Sequence, residues 1–238
     1  MKYQGGKHKI GTILAKIIND KVNTNIVDGY FEPFCGSLGV FKNMIKYDYK
    51  KYIANDLQPD LILMWKELQR DKLDLPDNFS EELWIKLKAS PSPNELKAVA
   101  GYGMSYGGQY FSGYIQKHSN NSGRDFYKEF KNSILKIKKQ LQRREIEYYN
   151  KNYYDFKPVN MLIYCDPPYK NTTGYKVGKF DSDMFWNIMR EWSKNNHVFI
   201  SEEEAPDDFE VVWEQDKRRT LNSKVREHKT EKLFVLKK

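Results

Sequence analysis

The residues Asp166-Pro167-Pro168-Tyr169 offer the clearest chemistry in this chain, because they join a carboxylate, two rigid backbone units and an aromatic ring. They follow the apolar run Met161–Cys165, which predicts a buried strand. Two prolines cannot continue a central strand, so the chain must turn there. Asp166 and the Pro167 carbonyl can accept both hydrogens of an exocyclic amino group, while Tyr169 stacks on the ring that carries it. A strand-ending turn with a surface acid is the alternative interpretation.

The elements around this tetrapeptide predict an α/β sheet, because strand and helix patterns alternate at both ends of the chain. The carboxyl ends of such strands form the edge where ligands bind. The expected strands are 25–31, 49–54, 160–165, 197–201, and a terminal hairpin of 210–213 and 233–236. The expected helices are 9–19, 40–45, 57–68, one capped by Ser80, one opened by Pro93 and Asn94, 126–149, and 181–195.

The alternation of strands and helices is interrupted between residues 57 and 150, where mainly helical patterns surround a glycine-rich, aromatic segment, 101–114. That segment predicts a loop or hairpin. We therefore predict a catalytic domain formed by residues 1–56 and 151–238, and an inserted lobe formed by residues 57–150 with approximate boundaries.

Composition restricts the classes of protein to consider. The 238 residues are 39% hydrophobic and 30% charged, with a net charge of +8. This charge suits a polyanionic partner such as nucleic acid. The sequence has no long uncharged apolar run that predicts a membrane span and no signal-peptide core at its start. Cys35 and Cys165 are expected to be reduced, and no metal is expected because the histidines lack ligand spacing: His8, His118, His197 and His228.

Three further segments give the tetrapeptide a family context: 2–7 (KYQGGK), 31–39 (FEPFCGSLG) and 52–56 (YIAND). In this order, the motifs resemble those of the Dam-like, D12-class site-specific DNA adenine-N6 methyltransferases. The resemblance covers nearly the whole chain, although residues 57–150 match only in outline. It implies a Rossmann-like fold that uses S-adenosylmethionine. Such a fold has a mostly parallel sheet with one reversed strand, and here a small, mainly helical target-recognition lobe.

The resemblance also implies which residues bind S-adenosylmethionine. Asp56 is expected at the ribose hydroxyls, and its spacing after Gly36 is that of the acid in dinucleotide-binding folds. Lys7 is expected near the cofactor's carboxylate end. The full expected set is Tyr3, Lys7, Phe34, Gly36, Asp56 and Asp166. One departure concerns the glycine turn, because the family's second glycine would fall at Leu38, whereas this chain has Gly39.

The implied reaction is direct, in-line transfer of the methyl group to N6 of an adenine flipped out of double-stranded DNA. Asp166, Pro167, Pro168 and Tyr169 are the expected catalytic residues. Asp166 and the Pro167 carbonyl favour a tetrahedral amine and stabilise its developing positive charge. Methylation at carbon 5 of cytosine would need a nucleophilic cysteine, and Cys165 is expected to face away from Asp166 in a regular strand.

Residues expected to contact DNA fall into an aromatic and a basic group. Segment 105–114 resembles the family's DNA-contacting hairpin, in which Tyr106, Tyr110 and Phe111 would stack or wedge. Core aromatics around a turn are the alternative. The basic candidates for phosphate contacts are Lys117, Arg124, Arg143 and Arg144 in the lobe, and Arg218 and Arg219 in the terminal hairpin. For any one of them taken alone, a solvated helix face is the favoured interpretation.

Other functions remain open at this stage. Cytosine-N4 methylation fits the same tetrapeptide, and a non-catalytic DNA-binding relic of the family is a further alternative. The acidic run 202–204 could border the site, but we interpret it as a solvated loop. We expect a monomer in solution in the cytoplasm, either of a bacterium or, for a protein encoded by a phage or other virus, of the host cell; the sequence leaves the oligomeric state and the source open. It leaves open whether a cognate restriction endonuclease accompanies the enzyme.

Overall fold

The computed structural model describes residues 1, 3–115, 123–168, 180–222 and 225–237, with the side chains of 217–229 left aside. These residues form a seven-stranded sheet in the order β3-β2-β1-β4-β5-β7-β6. The strands are β1 Gly29–Glu32, β2 Tyr52–Asn55, β3 Glu147–Tyr149, β4 Met161–Cys165, β5 His197–Glu202, β6 Phe209–Asn222 and β7 Val225–Leu236.

Five neighbouring strands, β3, β2, β1, β4 and β5, are parallel. Strand β7 runs antiparallel to β5, and β6 runs antiparallel to β7, so β7 alone is reversed within the sheet. This arrangement confirms the prediction of a Rossmann-like α/β sheet with one reversed strand. It also confirms the terminal hairpin, which is longer than the apolar pattern indicated.

Helices lie between the strands and in the lobe: α1 Gly11–Asp20, α2 Phe41–Met44, α3 Pro59–Gln69, α4 Glu81–Ala89, α5 Glu95–Ala98, α6 Phe126–Leu141 and α7 Ser182–Ser193. The polar residues before two of them cap their first turns as expected. The Ser80 hydroxyl accepts the backbone N–H of Leu83 at 3.2 Å, and the Asn94 side chain accepts that of Leu96 at 2.8 Å.

The apolar side chains of the sheet alternate between two cores, one on each face. Tyr30 and Leu162 pack with α1, α2 and the lobe helices, whereas their neighbours Phe31 and Ile163 pack against α7. Because both faces are covered, the central strands are apolar on both sides, which is why β4 is a continuous apolar run.

The long helix expected over residues 126–149 is wrong in its second part, because α6 ends at Leu141 and Glu147–Tyr149 forms strand β3 beside β2. The edge of the sheet therefore includes residues assigned to the lobe, and the division into domains remains a prediction. Segment 101–114 is not a regular hairpin. A π-helical turn at Val99–Gly103, a 3-10 turn at Tyr106–Gly108 and a single antiparallel bridge between Ser105 and Tyr114 shape it.

Within the described residues, none of the helices combines the length and the apolar character that crossing a membrane requires.

Candidate active site

The carboxyl ends of β1, β2 and β4 border one cavity of about 920 Å³. This volume lies within the range of small-molecule sites in proteins. The residues expected from the sequence that line it are Tyr3, Lys7, Phe34, Gly36, Asp56, Asp166, Pro167 and Pro168. The sheet thus brings together side chains that are distant in sequence, because parallel strands end at the same edge. Their roles toward a cofactor or base remain proposals.

The turn after β1 is fixed by bonds to the backbone of Gly36. Its N–H donates to Asp56 Oδ2 at 2.9 Å, and its carbonyl accepts the Trp65 indole N–H at 2.9 Å. Gly36 has a φ of +45°, and the ring of Tyr3 lies where a side chain would project. Glycine is therefore favoured at this position both by the backbone conformation and by the close approach. Leu38, the position where the family's second glycine would fall, also has a positive φ of 57°.

Asp56 lies just beyond β2 and accepts a second backbone N–H, that of Gln58, at 2.9 Å from Oδ1. Burial raises the pKa of Asp56, and the bonds from Gln58 and Gly36 oppose that effect. A carboxylate has about four acceptor positions, so Asp56 can bind these two N–H groups and still accept hydroxyl groups from a ligand.

Lys7 lies at the floor of the cavity, 3% exposed, between two carboxylates. Its Nζ is 3.0 Å from Asp166 Oδ1 and 2.6 Å from Glu231 Oε1. Burial alone would lower the pKa of Lys7, but Asp166 and Glu231 raise it above its ordinary value. Lys7 is therefore a charged ammonium that contacts Asp166, and Glu231 is a partner that the motifs did not indicate.

Further buried polar groups surround this ion cluster. Tyr30 donates to Glu32 Oε1 at 2.5 Å, and burial raises the pKa of Glu32 well above its ordinary value. The Tyr164 and Ser201 hydroxyls are 2.8 Å apart. Cys165 lies on the opposite face of β4, against Met189, and burial raises the pKa of its thiol. Its surroundings do not favour a nucleophilic thiolate.

An aromatic wall closes another side of the cavity. The ring of Phe34 lies 5.0 Å from that of Tyr153 and 6.2 Å from that of Phe180. The motifs indicated Phe34 but not Tyr153 or Phe180. Isolated aromatic residues have no spacing that distinguishes the wall of a cavity from the hydrophobic core.

The cavity has features that suit a nucleoside-bearing cofactor. The buried hydroxyls of Ser37 and Tyr153 lack a hydrogen-bond partner among the described residues, and both residues line the cavity. Buried polar atoms usually have partners, so these two hydroxyls are positioned to bond a ligand. The cavity combines an acidic side chain at a strand end, a glycine turn and an aromatic wall. These residues fit S-adenosylmethionine.

The aromatic residues of segment 105–114 occupy different environments. Tyr106 is 78% exposed beside two glycines, whereas Phe111 is 7% exposed and packs against Trp84. Tyr110 lines the cavity, donates its hydroxyl hydrogen to Asp60 and contacts the ring of Tyr102 at 5.0 Å. Phe111 is therefore a core residue, as the alternative interpretation held, and Tyr106 is the accessible ring.

The basic residues expected at DNA also differ. Arg144 donates to the carbonyls of Ile45 and Tyr47 and pairs with Asp48, in the segment that precedes β2. Arg144 and its exposed neighbour Arg143 therefore lie at the amino ends of β2 and β3, the edge opposite the cavity. Arg124 is exposed and pairs with Glu129. Lys117 and Tyr169, and the side chains of Arg218 and Arg219, lie outside the described residues.

The acidic residues 202–204, at the end of β5, lie in three different environments and do not form a simple solvated loop. Glu203 lines the cavity, Glu204 is exposed, and burial raises the pKa of the half-buried Glu202 to about 7. Their sequence pattern did not distinguish these three environments. Among the described residues, His, Cys, Asp and Glu side chains form no group of three or more that could hold a metal ion.

Part of the chain matches the model of a known protein family. Residues 3–95 match the model of the D12 class N6 adenine-specific DNA methyltransferases. The chain is 26% identical over 202 residues to the modification methylase StsI of Streptococcus sanguinis, covering 75% of this chain and 30% of that protein. It is 24% identical over 217 residues to the type II methyltransferase M.MjaIII of Methanocaldococcus jannaschii, covering 77% of this chain and 75% of that protein.

The DNA adenine methylase of Haemophilus influenzae is 24% identical over 214 residues, which cover 76% of this chain and 68% of that protein. The family match confirms the resemblance that the motifs indicated. The matched segment contains the glycine turn and Asp56, whereas Asp166 lies beyond it. The chain spans less than a third of the length of the StsI methylase.

Proposed function

We propose that this chain, whose first 95 residues contain the D12-class match, is a site-specific DNA methyltransferase. It transfers the methyl group of S-adenosylmethionine to N6 of an adenine flipped out of double-stranded DNA. The family match supports this reaction, and so do the names of two relatives, a type II methyltransferase and a DNA adenine methylase.

One structural observation carries the proposal. The Gly36 turn, Asp56 and Asp166 come from three strand ends and line the same cavity, with Lys7 bonded to Asp166. A turn that approaches a ligand closely, an acid for ribose hydroxyls and an acid for an amine are what methyl transfer from this cofactor needs at one place. A DNA-binding relic would not need to keep them together.

The chain's own residues would act on the amine as follows. Asp166 accepts one N–H of the target amine, and the Pro167 carbonyl accepts the other, which favours a tetrahedral nitrogen. The carboxylate then stabilises the positive charge that develops on that nitrogen during transfer. A cofactor held at the Gly36 turn and Asp56 would supply an electrophilic methyl group. The new N–C bond would form as the bond from the methyl carbon to sulfur broke, S-adenosylhomocysteine would leave, and the methylated nitrogen would lose one proton to solvent. Tyr169, by the family resemblance, stacks on the flipped base.

Double-stranded DNA would bind on the side where the cavity opens. Tyr106, the most exposed of the described aromatic residues, suits contact with a base or a sugar. Arg143 and Arg144 are left out of this surface because they lie at the opposite edge of the sheet. Arg124 remains a candidate for a phosphate contact.

The test is mass spectrometry of nucleosides from unmethylated DNA incubated with protein and S-adenosylmethionine. Wild type is compared with Asp166→Ala and with Asp28→Ala, an exposed acid at the amino end of β1. We expect N6-methyladenine from the wild type and from Asp28→Ala, and none from Asp166→Ala.

The other outcomes contradict the proposal in distinct ways. N4-methylcytosine would keep the site and its chemistry but make cytosine the target. Absence of any methylated base, from protein that S-adenosylmethionine stabilises against heat, would indicate a different methyl acceptor. Equal activity of Asp166→Ala and wild type would remove Asp166 from the reaction.

A further inference from the structure

Glu231 lies outside every motif that indicated the site, yet its buried side chain contacts Lys7, which lines the cavity. It is 6% exposed, and its Oε1 is 2.6 Å from Lys7 Nζ. The same ammonium is 3.0 Å from Asp166 Oδ1. A buried carboxylate is costly unless it is paired, so the position of Glu231 is coupled to that of Lys7.

The reversed direction of β7 brings Glu231 to this edge of the sheet. Leu233 and Lys232 pair with Ser201 and Glu202, the last residues of β5, so the next residue back along β7 is Glu231, just beyond the carboxyl end of β5. Glu231 and Leu233 share one side of the strand, and Leu233 belongs to the core that contains α1. The side chain therefore points to the layer from which Lys7 approaches.

Two carboxylates from different strands hold one ammonium. A lysine side chain is a flexible four-carbon stem, and a single ion pair leaves it several arrangements. Contacts from β7 and from the end of β4 fix Nζ between two points. A carboxylate accepts at both oxygens, so Asp166 can bond Lys7 and a target amine at the same time.

We propose that Glu231 is a positioning residue for methyl transfer: it holds the Lys7 ammonium, which in turn orients the Asp166 carboxylate toward the target amine. This inference rests on the proposed function. Glu231 acts through Lys7 and need not contact either the cofactor or the base.

Charge gives Glu231 a second effect on the reaction. Glu231 places a second carboxylate against the ammonium that also contacts Asp166. Without Glu231, more of the positive potential of Lys7 would act at Asp166, beside a nitrogen on which positive charge develops. Glu231 thus preserves a negative potential at the place where the transition state needs it.

The experiment compares two variants. Glu231→Gln removes the negative charge but keeps the size of the side chain, and Glu231→Asp keeps the charge on a side chain that is one methylene shorter. Glu210→Gln is the matched control, because Glu210 is exposed on the neighbouring strand β6. For each variant, cofactor affinity is measured by titration, the methyl-transfer step by single-turnover kinetics, and folding by thermal unfolding without cofactor.

We expect Glu231→Gln to slow the single-turnover rate by about 10- to 100-fold, since small displacements of a reacting group have effects of this size. The dissociation constant for S-adenosylmethionine should change by less than about threefold. Glu231→Asp should recover part of the rate, and Glu210→Gln should match the wild type.

The pH profile of the rate separates this role from a merely structural one. Among the described residues, the groups around Lys7 that carry or can lose charge include Asp166 just beyond β4, Tyr164 on β4, Glu231 on β7, Glu32 on β1 and Glu202 on β5. Because Glu231 helps to raise the pKa of Lys7, its replacement by Gln should move the alkaline decline of the rate to lower pH.

An unchanged single-turnover rate and pH profile in Glu231→Gln, beside an active wild type, would overturn this inference and leave the proposed function intact. A wild type that methylates no adenine would overturn the function itself, and the inference with it. If Glu231→Gln fails to fold, Glu231→Asp decides: a slowed rate with unchanged cofactor affinity supports positioning, and an unaltered rate contradicts it.

Discussion

Leu38 adopts a left-handed backbone conformation in the glycine turn although it is not a glycine. Its φ is 57°, and its side chain is fully buried in the core. The left-handed region costs a residue with a Cβ atom roughly 1–2 kcal/mol. The turn therefore keeps the shape that a glycine would give it, and burial of the leucine side chain offsets the strain.

Replacing Leu38 should reverse the usual order of stability between alanine and glycine. Leu38→Gly and Leu38→Ala lose the same packing, but only alanine retains the strained Cβ. We expect Leu38→Gly to be more stable than Leu38→Ala by about 0.5–1 kcal/mol in urea unfolding. Val40, also buried but with a φ of −95°, is the control: there alanine should be the more stable replacement. The same order at both positions would contradict the strain.

Glu202 gives the protein a pH-dependent stability. Burial raises its pKa from 4.5 to about 7, so the folded state holds this proton more tightly than the unfolded chain does. The free energy of unfolding must therefore fall as pH rises through this window, by about 1–3 kcal/mol. In Glu202→Gln, urea unfolding should show this decline removed, with stability above that of the wild type at pH 8. A variant whose decline matches the wild type would show that other groups cause it.

The sequence indicated those site residues that belong to local patterns. The glycine turn, Asp56 and Asp166 follow apolar strands directly, so their placement at one edge followed from the topology. Glu231 could not be found in this way, because it lies in a charged stretch whose neighbours look alike. Its importance comes from Lys7, a contact between distant parts of the chain that no local pattern contains.

At the scale of elements, a polar contact joins segment 105–114 to the first turn of α3. Tyr110 donates to Asp60, whose other oxygen accepts the backbone N–H of Asn94 at 2.8 Å before α5. Asp60 is buried, so loss of one donor leaves an acceptor that water cannot easily reach.

Tyr110→Phe should destabilise the protein by about 1–3 kcal/mol, because it leaves Asp60 without that donor. Tyr106→Phe, on the same segment but exposed, should change stability by less than about 0.5 kcal/mol. Thermal or urea unfolding of both variants measures the difference. Equal stabilities would mean that Asp60 does not depend on this bond.

The sequence did not predict where α6 ends or how far the hairpin of β6 and β7 extends, and both differences have physical reasons. Helical spacing continues past Leu141 to Ile146, which is also buried, so the pattern could not show that α6 ends before β3. Strands β6 and β7 extend well beyond their apolar ends because each pairs with the other, and that pairing needs no apolar residues. The pattern of apolar residues therefore predicted only the part of the hairpin that covers the core.

For the whole molecule, the position of the cavity predicts which face binds DNA. Tyr106→Ala should weaken DNA binding by about 10-fold, the effect of losing one stacked base, without changing thermal stability. Arg143→Ala should leave DNA affinity and its salt dependence unchanged, because Arg143 lies at the opposite edge of the sheet. Binding titrations over a range of salt concentrations measure both. A reduced salt dependence in Arg143→Ala would place DNA on the other edge.

The contact between Lys7 and Glu231 also sets when the site can be completed. A ribosome releases the glycine turn, Asp56 and Asp166 before it has made β7, because domains emerge from their amino ends. Until β7 docks against β5, the ammonium has Asp166 but lacks its second carboxylate. The nascent chain would thus hold most of the binding residues while Lys7 still lacked one of its two partners, and the proposed methyl transfer would reach its full rate only after the reversed strand had joined the sheet.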